Sequence, residues 1–143
     1  MKRLAERTLN ALFSEAKRRE YMISEKIILL GQGERDLAAA LNGALKKNGY
    51  KVDVVFDGAQ AVNALNNGGY DLLIVGDALS RVTAKEVIEK FRALSKSPVL
   101  IITDRRAIKS DEKEWEGVQT LNMPFTEQRF IDKVGNLLNL TDN

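Results

Sequence analysis

A chain of 143 residues with no histidine and no cysteine has few ways to do chemistry. The absence removes the imidazole base and metal ligand, the thiolate nucleophile and any disulfide. Carboxylates, hydroxyls and glycine-bearing turns remain, and they gather where short apolar runs end: Gly31-Gln32-Gly33, Gly76-Asp77, Thr103-Asp104 and Asn122-Met123-Pro124. The first of these could cradle a dinucleotide pyrophosphate on backbone N–H groups. The G-x-G-x-x-G fingerprint needs a third glycine for close helix–strand packing, and Asp36 stands in its place. An acid at the right separation exists in Asp53, but it lies inside the second apolar run. A tight turn permitted by glycine is the simpler reading, with a small-molecule or nucleotide site kept as an alternative.

The elements that must position these loops are legible in the hydrophobic pattern. Ile27-Ile28-Leu29-Leu30, Leu72-Leu73-Ile74-Val75 and Val99-Leu100-Ile101-Ile102 are short continuous apolar runs, the mark of buried parallel strands, while Val52 to Phe56 reads as a second strand and Val118 to Leu121 as a fifth, weaker one. Between them, Glu34 to Asn48 and Ala59 to Asn66 carry apolar residues at helical spacing. Thr83 to Leu94 does the same, with Thr83 and Glu86 placed as a capping box. Ser110 to Glu116 reads as a charged helical stretch, and Thr126 opens a last helix with Phe130, Ile131, Val134, Leu137 and Leu138 on one face. Five strands alternating with helices predict an open, doubly wound α/β domain.

Ahead of this domain, residues 1–24 predict a separate amphipathic helix. Leu9, Leu12, Phe13 and Ala16 follow the i, i+3, i+4, i+7 spacing of one apolar stripe. A helix of that length is marginal alone in water, so the stripe is expected to dock, or to pair with a second copy as a homodimer. The net charge of +2 sits in residues 1–25, which hold six Lys/Arg against four Asp/Glu, and the rest of the chain is balanced. Balance of that kind argues against nucleic acid as a partner. No apolar run reaches the roughly 20 residues of a membrane span, and no signal-peptide core is present, so the expected location is the cytoplasm.

The strand Tyr70-Asp71-Leu72-Leu73-Ile74-Val75, the helix segment Lys85-Glu86-Val87-Ile88, the strand-ending Thr103 and Met123-Pro124-Phe125 together resemble the receiver domains of two-component response regulators. The resemblance runs over about residues 26 to 140. It implies a CheY-like, flavodoxin-like fold with strand order 2-1-3-4-5, residues 25–143 forming the receiver-like unit. It also implies a pocket built from an acid pair, an acceptor aspartate, a hydroxyl and a lysine, gathered around Mg²⁺. Carried over residue by residue, the acid pair falls on Gln32 and Gly33, the acceptor on Gly76, the hydroxyl on Thr103 and the lysine on Met123. An aromatic switch residue falls on Thr120. Only Thr103 keeps its chemistry: Gln32 is a poor ligand for a hard cation, the glycines have no side chain, and Met123 is apolar.

Asp77, next to the acceptor position, is the one acid that could stand in as a displaced phosphoacceptor. Alternation along a strand should point it away from Gly76, as a solvated loop acid. The expectation is therefore a degenerate pseudo-receiver with no metal and no cofactor. It would be a non-enzymatic signalling module that acts on a protein partner independently of phosphorylation. The surface expected to meet that partner draws on Arg105, Arg106, Lys113, Trp115, Gln119 and Arg129, although core packing is the preferred reading of the single tryptophan.

Overall fold

A computed structural model describes residues 26–104 and 117–141. Its strands are β1 (Ile27–Gly31), β2 (Lys51–Val55), β3 (Leu72–Gly76), β4 (Val99–Thr103) and β5 (Val118–Asn122). The helices are α1 (Arg35–Lys47), α2 (Gly58–Asn67), α3 (Ala84–Leu94) and α4 (Glu127–Thr141). All strand pairs are parallel, in the order β2-β1-β3-β4-β5. The order reverses at β1 and β3, so their carboxyl ends flank the crevice where such sheets take ligands. The expected N-terminal helix with Leu9, Leu12, Phe13 and Ala16, and the charged stretch Ser110 to Glu116, lie outside the described residues.

The pleat divides the core in two. Ile28, Leu30, Leu72, Ile74, Leu100 and Ile102 pack under α1 and α4 with Leu41, Leu45, Phe130 and Val134. Leu29, Leu73, Val75, Val99 and Ile101 face the other way, against Ala61 and Leu65 of α2 and Val87, Ile88 and Phe91 of α3. β3 and β4 are buried along their whole length, because helices cover both sheet faces. Each such Leu, Ile or Phe contributes about 1.5–3 kcal/mol by leaving water.

Local chemistry sets the element ends. Thr83 caps α3 by accepting the Glu86 N–H at 3.2 Å, and its hydroxyl lies 3.3 Å from the Glu86 carboxylate. α2 starts at Gly58, one residue earlier than the periodicity indicates, because Asp57 is its cap and accepts the Gln60 N–H at 2.8 Å. β2 spans Lys51–Val55 in place of Val52 to Phe56, since Lys51 donates its N–H to Lys26 and begins the ladder. Gly58 is required where it stands: a Cβ there would lie 1.7 Å from the Val82 carbonyl oxygen. That contact straps the β3–α3 loop onto the start of α2, helped by a bond from the Gly58 N–H to the Ser80 carbonyl. Among the described residues no helix is long and apolar enough to cross a membrane.

Candidate functional site at the carboxyl edge of the sheet

Register brings the first two candidate loops together. Gly31 is paired with Val75, so the next residues, Gln32 and Gly76, stand opposite each other just past the strand ends. Gln32 continues the ladder with its own N–H bonded to the Val55 carbonyl at 3.0 Å. Its side chain is buried, which obliges its polar atoms to find partners. The side-chain oxygen accepts the Glu34 N–H at 3.1 Å, just before α1 begins. The rest of the amide lies over Gly76: a Cβ at residue 76 would stand 2.7 Å from the Gln32 nitrogen and 3.2 Å from its carbonyl carbon. Gln32 therefore fills the space that an acceptor side chain would occupy. Gly33 is exposed beside it, facing the backbone carbonyls of Phe56 and Ala78.

Thr103 and Asp77 form the second half of the site. Thr103 is 1% exposed, and its hydroxyl donates to the Asp77 carboxylate at 2.5 Å. The Asp77 N–H in turn donates to Ile102 at 3.1 Å, extending the β3–β4 ladder by a step. This corrects the expectation of a solvated loop acid. Asp77 is half-buried and bonded, because alternation turns it to the same sheet face as Thr103 and the gap between the strand ends is one hydrogen bond wide.

Met123 closes the site from β5. Its N–H donates to the Thr103 carbonyl at 2.7 Å, and its half-buried side chain packs with Phe125 against the α1/α4-side core. The Met123–Pro124 peptide bond is cis. Phe125 stacks on Phe130 with ring centroids 5.9 Å apart, anchoring the loop to α4. At the rim, the Arg35 guanidinium sits 4.2 Å from the centre of the Phe56 ring. Asp53 accepts the Tyr70 hydroxyl at 2.7 Å from β2 and takes no part in the edge, while Asp36 is exposed in the first turn of α1. Burial and the Asp53 carboxylate push the Tyr70 phenol up to about 12.

Of the residues expected to form a partner surface, Gln119 is half-buried on β5 and Arg129 exposed on α4. Arg105, Arg106, Lys113 and Trp115 lie outside the described residues. Thr120, at the switch position, has a buried hydroxyl oxygen without a hydrogen-bond partner.

The donor set does not fit Mg²⁺, which prefers several oxygen ligands held by carboxylates. Among the described residues no group of three or more acidic side chains could hold a metal ion. The Gln32 oxygen is committed to Glu34 and the Asp77 carboxylate to Thr103. The amide over Gly76 and the Asp77–Thr103 bond escaped the sequence reading. The first was within its reach, since a side-chain-bearing residue opposite a buried glycine in adjacent parallel strands must lie across it. The second needs the β3–β4 register, which pairs Gly76 with Ile102 and so sets Asp77 beside Thr103.

No family model matches the sequence. The transcriptional regulatory protein TctD of Salmonella typhimurium is 35% identical over 82 residues, which are 57% of this chain and 37% of TctD. The chain thus spans about a third of the length of the curated relatives it matches. A two-component response regulator from Clostridium difficile superposes with a TM-score of 0.76 at 22% identity, covering 82% of this chain and 99% of that one. TrrA of Thermotoga maritima, solved in complex with Mg²⁺–BeF, superposes at 0.71 with 25% identity, covering 78% and 98%. Strand order, register and these likenesses agree that the chain has the CheY-like fold of response-regulator receiver domains.

Proposed function

We propose that this receiver domain signals without being phosphorylated, as a non-enzymatic module whose output is contact with another protein. The observation that carries the reading is the Gln32 amide lying over Gly76. A receiver that takes up phosphate needs an acceptor carboxylate and metal ligands in that space. Here the space holds a neutral amide already bonded to the backbone, and Met123 replaces a cation with an apolar side chain. Burying neutral, satisfied groups is the lower-energy arrangement when no charge is to be received.

One observation favours a second reading. Asp77 is half-buried beside the Thr103 hydroxyl, so it could act as a displaced phosphoacceptor. Incubation with acetyl phosphate and Mg²⁺ followed by intact-mass measurement separates the two. The main reading expects no phosphate on the chain. An adduct would overturn it, and an adduct abolished by Asp77→Asn would establish the second reading. A thermal-shift screen across nucleotides addresses the small-molecule alternative, since any ligand of the native state raises apparent stability.

A further inference from the structure

Three asparagines in the chain are followed by glycine, all within the described residues: Asn42-Gly43, Asn48-Gly49 and Asn67-Gly68. Such a pair carries its own reaction. The glycine backbone nitrogen, unhindered by a Cβ, can attack the asparagine side-chain carbonyl. A bond forms between that nitrogen and Cγ, the Cγ–Nδ2 bond breaks, and ammonia leaves with the backbone amide proton. Water then opens the cyclic imide at either carbonyl, giving aspartate or isoaspartate. Conformation decides whether the nitrogen reaches the carbonyl, and the fold holds the three pairs differently.

Asn42 and Gly43 both lie inside α1, where the helix ladder fixes their backbone and the Asn42 side-chain oxygen is buried. Asn48 ends the same helix under a double lock. Its side-chain nitrogen donates to the Ala44 carbonyl at 2.8 Å. The Gly49 N–H donates to the Lys46 carbonyl at 3.0 Å and the Tyr50 N–H to that of Leu45 at 3.1 Å, with Gly49 at φ 93°. These two bonds are the paired closure of a Schellman turn, so both leaving group and nucleophile are engaged.

Asn67 is held by far less. It is the last residue of α2, where helices fray, and both it and Gly68 are exposed. Its side-chain nitrogen lies 3.3 Å from the Asn63 carbonyl, longer than a good N–H···O bond. Gly68 is extended, at φ −155° and ψ 155°, and no cap bond ties its N–H back to the helix. Turning the backbone of one terminal residue therefore brings nucleophile and carbonyl together.

We propose that Asn67 is a modification site, at which this chain deamidates ahead of its other asparagine–glycine pairs. The product places a carboxylate on the last turn of α2, where the helix dipole disfavours negative charge. The isoaspartyl form also adds a carbon to the backbone of the turn that leads into Tyr70, a residue buried on the α2/α3 side of the sheet. The inference stands apart from the question of phosphate uptake, because it uses only the ends of the helices.

The test ages the full chain in mildly alkaline buffer and maps it by peptide mass spectrometry, with fragment ions placing each change. Asn67 should convert to the acid at least tenfold faster than Asn42 or Asn48, and its product should separate into aspartate and isoaspartate forms. In urea the three sites should converge. Gly68→Ala sets a methyl group beside the nucleophile and should slow the reaction at Asn67 at least tenfold. The added Cβ would lie 3.5 Å from the Tyr70 ring, an ordinary contact, so the fold should persist. Should that variant fail to fold, the ratio among the three sites in the native chain decides alone. Asn42 or Asn48 reacting as fast as Asn67 in the folded chain overturns the proposal. So does a preference for Asn67 that is unchanged in urea, since it would then come from the local sequence and not from the fold.

Discussion

Gly76→Ala adds one carbon at the centre of the site, and the structure fixes what that carbon meets. The new Cβ would stand 2.7 Å from the Gln32 nitrogen and 3.1 Å from its oxygen, closer than non-bonded contacts allow. The obstacle is the far end of a side chain, so Gln32 can move, but moving breaks its bond to the Glu34 N–H. Losing that bond and misplacing a buried amide costs about 1–2 kcal/mol. The Gly→Ala change itself returns about 0.5 kcal/mol by restricting the unfolded chain. In the native background the substitution should destabilise by about 1 kcal/mol. In a Gln32→Ala background, with the amide gone, it should be neutral or stabilising by about 0.5 kcal/mol. Urea denaturation of the four proteins measures the coupling, expected near 1.5 kcal/mol with little change in m-value. Equal costs of Gly76→Ala in both backgrounds would refute the claim that Gln32 occupies this space.

Other consequences are as specific. Gly58→Ala would drive a Cβ to 1.7 Å from the Val82 carbonyl oxygen, a backbone atom that cannot swing aside; a loss of about 3 kcal/mol in denaturation is expected. Thr83→Ala removes the α3 cap and should cost about 1 kcal/mol, while Thr83→Ser should be close to neutral. The Tyr70 phenol, raised to about 12, keeps its proton in the folded state after an unfolded tyrosine has lost it near 10. Its stabilising effect is therefore complete below pH 10 and lost as pH climbs to 12, a fall of about 2 kcal/mol that Tyr70→Phe should remove. Tyr50, also pushed up by burial, adds the same slope to both proteins, so the difference between the two pH profiles isolates Tyr70.

The fold was open to reading because β1, β3 and β4 are unbroken apolar runs and the helices keep their period. Ile27 to Leu30 or Leu72 to Val75 could only be buried on both faces. Element ends were less legible wherever a side chain or a neighbouring strand decides them, as Asp57 does for α2 and Lys26 does for β2. For the site, the resemblance to receiver domains implied where acids and a lysine would stand, and Gln32, Gly33, Gly76 and Met123 occupy those positions. How these side chains are arranged did not follow from identity. Gln32 covers Gly76 because parallel register sets it there, and Asp77 meets Thr103 because the β3–β4 register puts them side by side on one sheet face. Alternation correctly separates Asp77 from Gly76 but says nothing of the hydroxyl waiting on that side.

The central proposal is that the pocket of this CheY-like domain is filled by the Gln32 side chain and takes no phosphoryl group. Amide-resolved NMR of the native chain, titrated with Mg²⁺ and beryllofluoride, tests it most directly, with a Gln32→Asp, Gly33→Asp, Gly76→Asp, Met123→Lys variant run alongside. The account predicts no saturable shifts in the native spectrum and their appearance in the variant if it folds. Saturable shifts centred on Gly76, Asp77 and Thr103 of the native chain would contradict it.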